Sequence, residues 1–287
     1  MKGIYINLDR SVERRRSLLG HLSSVGFSQN DYVRFPAIEP VGDNIKLPLG
    51  VKSRGELGLY QSFIQVFSQI GNGDFEDIVH VIEDDIRFSG AAAISTSRLS
   101  RIMLSRPELA NADIIFLDYF LTRDLFLEVM SIQRKVKSNQ FVLLPAKSCY
   151  FACTTSFLVR KSSALRLSSL LKTYLVSAKR FAPVDLVLRS LLRNGSLIGY
   201  VAVPLIGSPS WEHDQNSTIQ CLDSDAVRFA RRSHLLLKLL ASGIQTPYWC
   251  AQQLEHMTGV TSPLSASDDY HSFFSFFDSF KDRMKMF

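Results

Sequence analysis

Apolar residues in this chain come in short runs, and their length is the strongest constraint on the fold. Ile4 to Leu8, Ile78 to Ile82, Ile114 to Leu117, Phe141 to Leu144 and Tyr200 to Val203 are long enough for buried strands and too short for helices. Between them the apolar spacing becomes helical. Ser11 is placed to cap a helix with Leu18, Leu22 and Val25 on one face and Gly26 at its end. Glu56 to Ile70 sets Leu57, Tyr60, Ile64 and Phe67 at helical spacing before the Gly71-Asn72-Gly73 break. Lys161 to Lys172 predicts a third helix, and Asp185 caps a fourth that ends at Asn194-Gly195. Strands that alternate with helices imply an α/β fold, a central mixed sheet covered by helices on its faces. Ligands in such sheets collect at the carboxyl ends of the strands.

The chain has 287 residues, enough to bury a core without disulfides. Cys149, Cys153, Cys221 and Cys250 lack metal-binding spacing and read as reduced thiols of a cytoplasmic protein. Lys and Arg outnumber Asp and Glu by 33 to 27, a net charge of +6 that favours anionic partners. No basic stretch is interleaved with aromatics, so nucleic acid is not expected as a partner, whereas a phosphate-rich glycolipid or an anionic membrane face suits the same surplus. The start of the chain lacks a signal-peptide apolar region and reads as a first strand. No apolar stretch reaches the roughly 18 residues that a spanning helix needs.

After about Asp223 the pattern changes to a helical region, Ala226 to Leu240, and then to an aromatic end from Phe273 to Phe287. Residues 1–222 read as one domain and 223–287 as a helical C-terminal extension. The aromatic side and terminal cations resemble an interfacial membrane anchor; the alternative is a helix docked on the core or in a dimer contact.

The chemistry concentrates at Val79-His80-Val81-Ile82-Glu83-Asp84-Asp85-Ile86, three acids directly after a buried strand. Adjacent carboxylates repel one another, so solvent or a cation must neutralise them. In an extended backbone Glu83 and Asp85 point to one side and converge on a Mg²⁺ or Mn²⁺, while Asp84 faces a ribose or an incoming hydroxyl. Such a metal stabilises charge on a departing nucleoside diphosphate. The plain alternative is a solvated acidic turn. No phosphate-binding loop of the P-loop type is present.

Ile6-Asn7-Leu8-Asp9 followed by Arg14, then Arg34-Phe35-Pro36-Ala37-Ile38, Gly55-Glu56-Leu57-Gly58-Leu59-Tyr60-Gln61-Ser62 and Val81-Ile82-Glu83-Asp84-Asp85 together resemble glycosyltransferase family 25, the lipooligosaccharide galactosyltransferases with collagen galactosyltransferase relatives. Thr155-Ser156-Phe157-Leu158-Val159, Pro183-Val184-Asp185, Pro204 and Ser217-Thr218-Ile219 continue the likeness over roughly residues 3 to 220. Leu59 and Ser62-Phe63 depart from the Cys and Ser-His of that family, and Glu39 stands where Asp is common.

The resemblance implies a GT-A-like domain, a UDP-galactose or UDP-glucose donor, a lipooligosaccharide or related glycan acceptor, and inversion at the anomeric carbon. Asn7, Asp9 and Arg14 would line the nucleotide pocket, Glu56 and Ser62 would lie near the sugar, and Gly55 and Gly58 would let backbone approach the ligand. Each has a local alternative: helix capping at Asp9 or Ser11, a surface cation at Arg14, and packing at Glu56 and Ser62. Asp185 would be the base for the acceptor hydroxyl, unless it only caps its helix. His213, with Asp214, would add a metal or phosphate contact, unless it is surface. Acceptor loops are expected at Val41 to Ser53 and Arg123 to Asn139, and a glycolipid acceptor implies contact with the cytoplasmic face of the inner membrane. A catalytically weak glycan- or nucleotide-binding module and a metal-dependent phosphohydrolase are the competing readings.

Overall fold

The computed structural model describes residues 2–40, 48–51, 53–90, 92–136, 140–178, 180–214 and 224–280. Every run expected as a strand is one: β1 (Gly3–Asn7), β3 (Ile78–Glu83), β5 (Ile114–Phe116), β6 (Val142–Pro145) and β8 (Gly199–Val203). Four more join them. These are β2 (Tyr32–Pro36), β4 (Ile86–Phe88), β7 (Ser156–Arg160) and β9 (Gly207–Pro209). The order of the seven-stranded sheet is β2-β1-β3-β7-β5-β8-β6, and β4 pairs with β9 in a small second sheet. In the large sheet β1, β2, β3, β5 and β8 run parallel, while β7 and β6 run against them. β2 escaped the sequence pattern because it is a partly exposed edge strand in which Arg34 interrupts the apolar residues.

Helices cover both faces. α1 (Val12–Ser24) and α3 (Ala92–Ser105) bury Leu18, Leu22, Leu99 and Met103 against Tyr5, Ile78, Ile82 and Leu158. On the opposite face lie α2 (Arg54–Asn72), α4 (Arg123–Lys135), the short α5 (Ala146–Cys149), α6 (Lys161–Ser177) and α7 (Val184–Arg193). There Tyr60, Phe63, Phe67 and Leu167 meet Ile4, Val79, Val81, Phe116 and Phe157. Ile78 and Ile82 thus face one way and Val79 and Val81 the other, the two-residue period of a strand buried on both sides. Phe63, where the resemblance leads one to expect a histidine, is fully buried between Phe67 and Phe157.

The short α8 (Trp211–Asp214) precedes α9 (Asp225–Ala241), α10 (Pro247–Thr258) and α11 (Tyr270–Asp278). Leu236, Leu237, Leu254, Phe273 and Phe277 join the same apolar core as α2 and the sheet. The aromatic side of α11 is therefore inside the protein, as the docked-helix alternative requires, and the anchor reading loses its apolar face. The terminal cations Lys281, Arg283 and Lys285 lie outside the described residues. No described helix is long and apolar enough to cross a membrane.

Three local expectations change. Residues 123–135 form α4 rather than an acceptor loop, because Leu125, Phe126, Val129 and Met130 give it a buried stripe; the loop expected at 41–53 lies largely outside the described residues. Ser11 sits at the start of α1, but its side chain caps nothing. Asp185 lies one residue inside α7, whose cap position is Pro183.

Candidate functional site

The crossovers from β1 through α1 to β2, and from β2 through α2 to β3, put their helices on opposite faces of the sheet. The chain therefore reverses its winding at the carboxyl end of β1, where open α/β sheets form a crevice. Asn7 ends β1 there and Glu83 ends β3 beside it, since Ile6 pairs with Glu83. At Asp84 and Asp85 the chain turns out of the large sheet into β4. Strand alternation consequently stops at Glu83, and Asp84 does not face away from its neighbour: both Asp84 and Asp85 meet Arg14. The guanidinium lies 2.6 Å from Asp84 Oδ1 and 3.3 Å from Asp85 Oδ2.

Asn7 fastens the corner from the other side. Its Nδ2 donates to Asp84 Oδ2 at 2.6 Å and to the Ser11 carbonyl at 3.1 Å. Its Oδ1 accepts from Arg34 Nε at 3.2 Å, which orients the amide so that its donor faces the acid. Glu83 accepts from the Thr154 hydroxyl at 2.9 Å, and its backbone N–H donates to the Thr155 carbonyl. The main-chain oxygen of Asp85 accepts from Ser210 N at 2.7 Å, which ties the turn to the end of β9.

Three acids crowd this corner around Arg14, with Arg87 near enough to feel Asp85, and the crowding is felt. Burial, then the Asp85 charge, pushes the Glu83 carboxyl up to about 8 against the Thr154 hydrogen bond. Burial lifts Asp84 to about 6, with Arg14 opposing. Burial and the neighbouring acids thus weigh against the charged form of Glu83, which a cation would favour.

Among the described residues, no group of three or more His, Cys, Asp and Glu side chains is placed to hold a metal ion. Mg²⁺-type ions are commonly held by one or two carboxylates, with phosphate oxygens and water completing the shell. Asp85 Oδ1 and His213 Nδ1 are both buried without a hydrogen-bond partner among the described residues. His213 is close enough to Asp85 to feel its charge; burial, then Arg87 and Arg14, keep the ring neutral, the form that ligates. Asp85 Oδ1 and His213 Nδ1 are atoms of the kind a divalent cation takes, although Arg14 already lies against the other oxygen of Asp85.

The other expected residues separate. Asp9 is 81% exposed at its side chain and pairs with Arg34 on the surface. Glu56 is buried in the first turn of α2. Ser62 serves the backbone, donating to Gly58 O at 2.7 Å and accepting from Ile38 N at 2.8 Å. A Cβ at Gly58 would lie 2.2 Å from Ile38 O, so this glycine accommodates the chain itself rather than a ligand. Asp185 accepts from Leu186 N at 2.8 Å and more weakly from Cys153 N at 3.5 Å, and burial raises its pKa against those bonds. Burial raises the Tyr150 phenol first, and the charges of Asp185, Cys153, Asp118 and Glu83 add to it.

Asp118 and Lys238 were not singled out from the sequence. Asp118 follows the Ile114–Leu117 run just as Glu83 ends the Ile78 run, and Lys238 interrupts five leucines between 235 and 240; both signals were there to be used. The two form a buried pair 2.6 Å apart.

Comparison with protein-family models and with curated proteins returned no match.

Proposed function

We propose that this chain is an inverting, metal-dependent glycosyltransferase with a GT-A-like domain, which moves galactose or glucose from a UDP-sugar to a lipooligosaccharide or related surface glycan. The observation that carries the reading is the corner at the carboxyl ends of β1 and β3, where Glu83, Asp84, Asp85, Arg14, Asn7 and His213 meet at the sheet's switch point. The ordered likeness to the family's motifs supports it, and no second observation of equal weight does.

Glu83, Asp85 and His213 would hold Mn²⁺ or Mg²⁺, which supplies Lewis-acid stabilisation of the departing diphosphate. Arg14 adds fixed positive charge at the same place, and Asp84, steadied by Asn7 and Arg14, offers a carboxylate to a ribose hydroxyl. Asp185 has the raised pKa of a general base. As the acceptor oxygen bonds to the anomeric carbon, the bond to the diphosphate breaks on the opposite side, UDP leaves, and the hydroxyl proton passes to Asp185. A glycolipid acceptor would bring the protein to the cytoplasmic face of the inner membrane, where its net charge of +6 suits an anionic surface.

A non-catalytic binding module of the same fold is the competing reading. The hold of Arg14 on Asp84 and Asp85 favours it, because that cation already satisfies part of the acidic charge. A donor screen with UDP-galactose, UDP-glucose and their N-acetyl forms, with and without Mn²⁺, separates the two by UDP release. The enzyme reading expects metal-dependent release from one hexose donor and a loss of about 100-fold in folded Asp85→Ala. Metal-dependent UDP binding without turnover of any donor assigns the module instead.

A further inference from the structure

Lys238 lies within the most apolar stretch of α9, and its ammonium is buried. It sits 2.6 Å from Asp118 Oδ1, 2.8 Å from Asp118 Oδ2 and 3.4 Å from Cys153 Sγ. Taking such a pair out of water is costly, and an apolar pair of similar volume would serve packing as well. Its partners suggest what else it does. Asp118 follows β5, and Cys153 lies in the segment that leads into β7. That segment is stitched between the two acidic strand ends: Phe120 N donates to Ala152 O, Asp118 N to Ser156 O, and Glu83 N to Thr155 O.

Cys153 has a φ of 86°, the only non-glycine residue with positive φ among the described residues. This conformation is unfavourable for a side chain with a Cβ and persists only where surroundings impose it. Here it turns the Cys153 N–H toward Asp185 and the sulfur toward Lys238, while the next residue gives its hydroxyl to Glu83. The Thr155 side chain bonds Asp118. One ammonium from the C-terminal region thus holds the segment that supplies hydrogen bonds to Glu83 and Asp185, directly at Cys153 and through Asp118 at Thr155.

We propose that Lys238 is a positioning residue of the acidic site, which holds Asp118 and the strained Cys153 so that residues 153–155 present Thr154 to Glu83 and a backbone N–H to Asp185. The C-terminal helices thereby complete the site rather than append to it. Only the kinetic arm of the test rests on the glycosyltransferase reading.

The variants are Lys238→Met, Lys238→Arg and the double variant Asp118→Leu with Lys238→Met, which removes both buried charges and so guards against a simple failure to fold. Hydrogen–deuterium exchange is followed by mass spectrometry, with UDP release from the best donor measured beside it. In Lys238→Met and in the double variant, peptides covering 150–156 should exchange about 10-fold faster while those of β1 and α2 keep wild-type protection. Turnover should fall about 100-fold with the KM for the donor within about 3-fold, and Lys238→Arg should recover most of both. Wild-type exchange at 150–156 in a folded variant overturns the proposal whatever the activity. So does faster exchange with unchanged kcat, or general loss of protection in both charge-removing variants, which would mark the pair as a support of the fold alone. If the wild type turns over no donor, the function reading fails, and the exchange data still decide the placement of the segment.

Discussion

His80 shows how a single side chain is bound to its surroundings. It lies mid-strand in β3, fully buried, with Tyr32 Oη 2.6 Å from Nδ1 and Ser156 Oγ 2.9 Å from Nε2. Burial lowers its pKa to about 3. Unfolded, the ring titrates near 6.5, so the unfolded chain binds more protons between those values and stability falls as pH drops below about 6.5. His80 should account for about 2 kcal/mol of loss by pH 5. Urea titrations at pH 7 and pH 5 should show a shallower loss in His80→Gln than in wild type; an identical difference would disprove the assignment. His21, lowered to about 4 by burial and then by Arg87, acts in the same direction, so the slope shrinks without vanishing. The sequence placed His80 correctly in a buried strand. Its two partners come from positions 48 and 76 residues away, which no local pattern joins.

At the scale of elements, helices and central strands were legible because burial on one side, or on both, leaves a period in the sequence. The small sheet was not: β4 and β9 are three residues each and carry no period. That is why strand alternation, carried past Glu83, misdirected Asp84. α11 illustrates a different limit, since a row of phenylalanines fits lipid and protein interior alike. Phe273 is fully buried beside Phe277. Phe273→Ala should cost about 3–5 kcal/mol, read as a lower urea midpoint. A change below about 1 kcal/mol would mean that the helix is not anchored through this ring.

The whole molecule joins regions that the sequence divides at residue 222. Leu236, Leu237, Leu240, Leu254 and Phe273 complete the core on the α2 face of the sheet, and Lys238 neutralises a carboxylate that β5 delivers into that core. Residues 1–222 alone would keep Asp118 near a depleted core with no cation, a loss of about 3–5 kcal/mol from the broken pair before any apolar surface is counted. The fragment should therefore lack a cooperative thermal transition by circular dichroism. A sharp melt near that of the full chain would show that the C-terminal helices are separable.

The amino-acid order by itself determined the class of fold and put three acids at the end of a buried strand. Short apolar runs bounded by polar residues read as buried strands, and acids at the end of such a run must meet water, a cation or a base. Tertiary structure alone decided who answers those acids. Arg14 crosses from α1, Thr154 from the approach to β7, His213 from beyond β9 and Lys238 from α9. The physical reason is that a charge in low dielectric is governed by what lies within a few ångströms, and such neighbours are set by sheet order and winding rather than by distance along the chain.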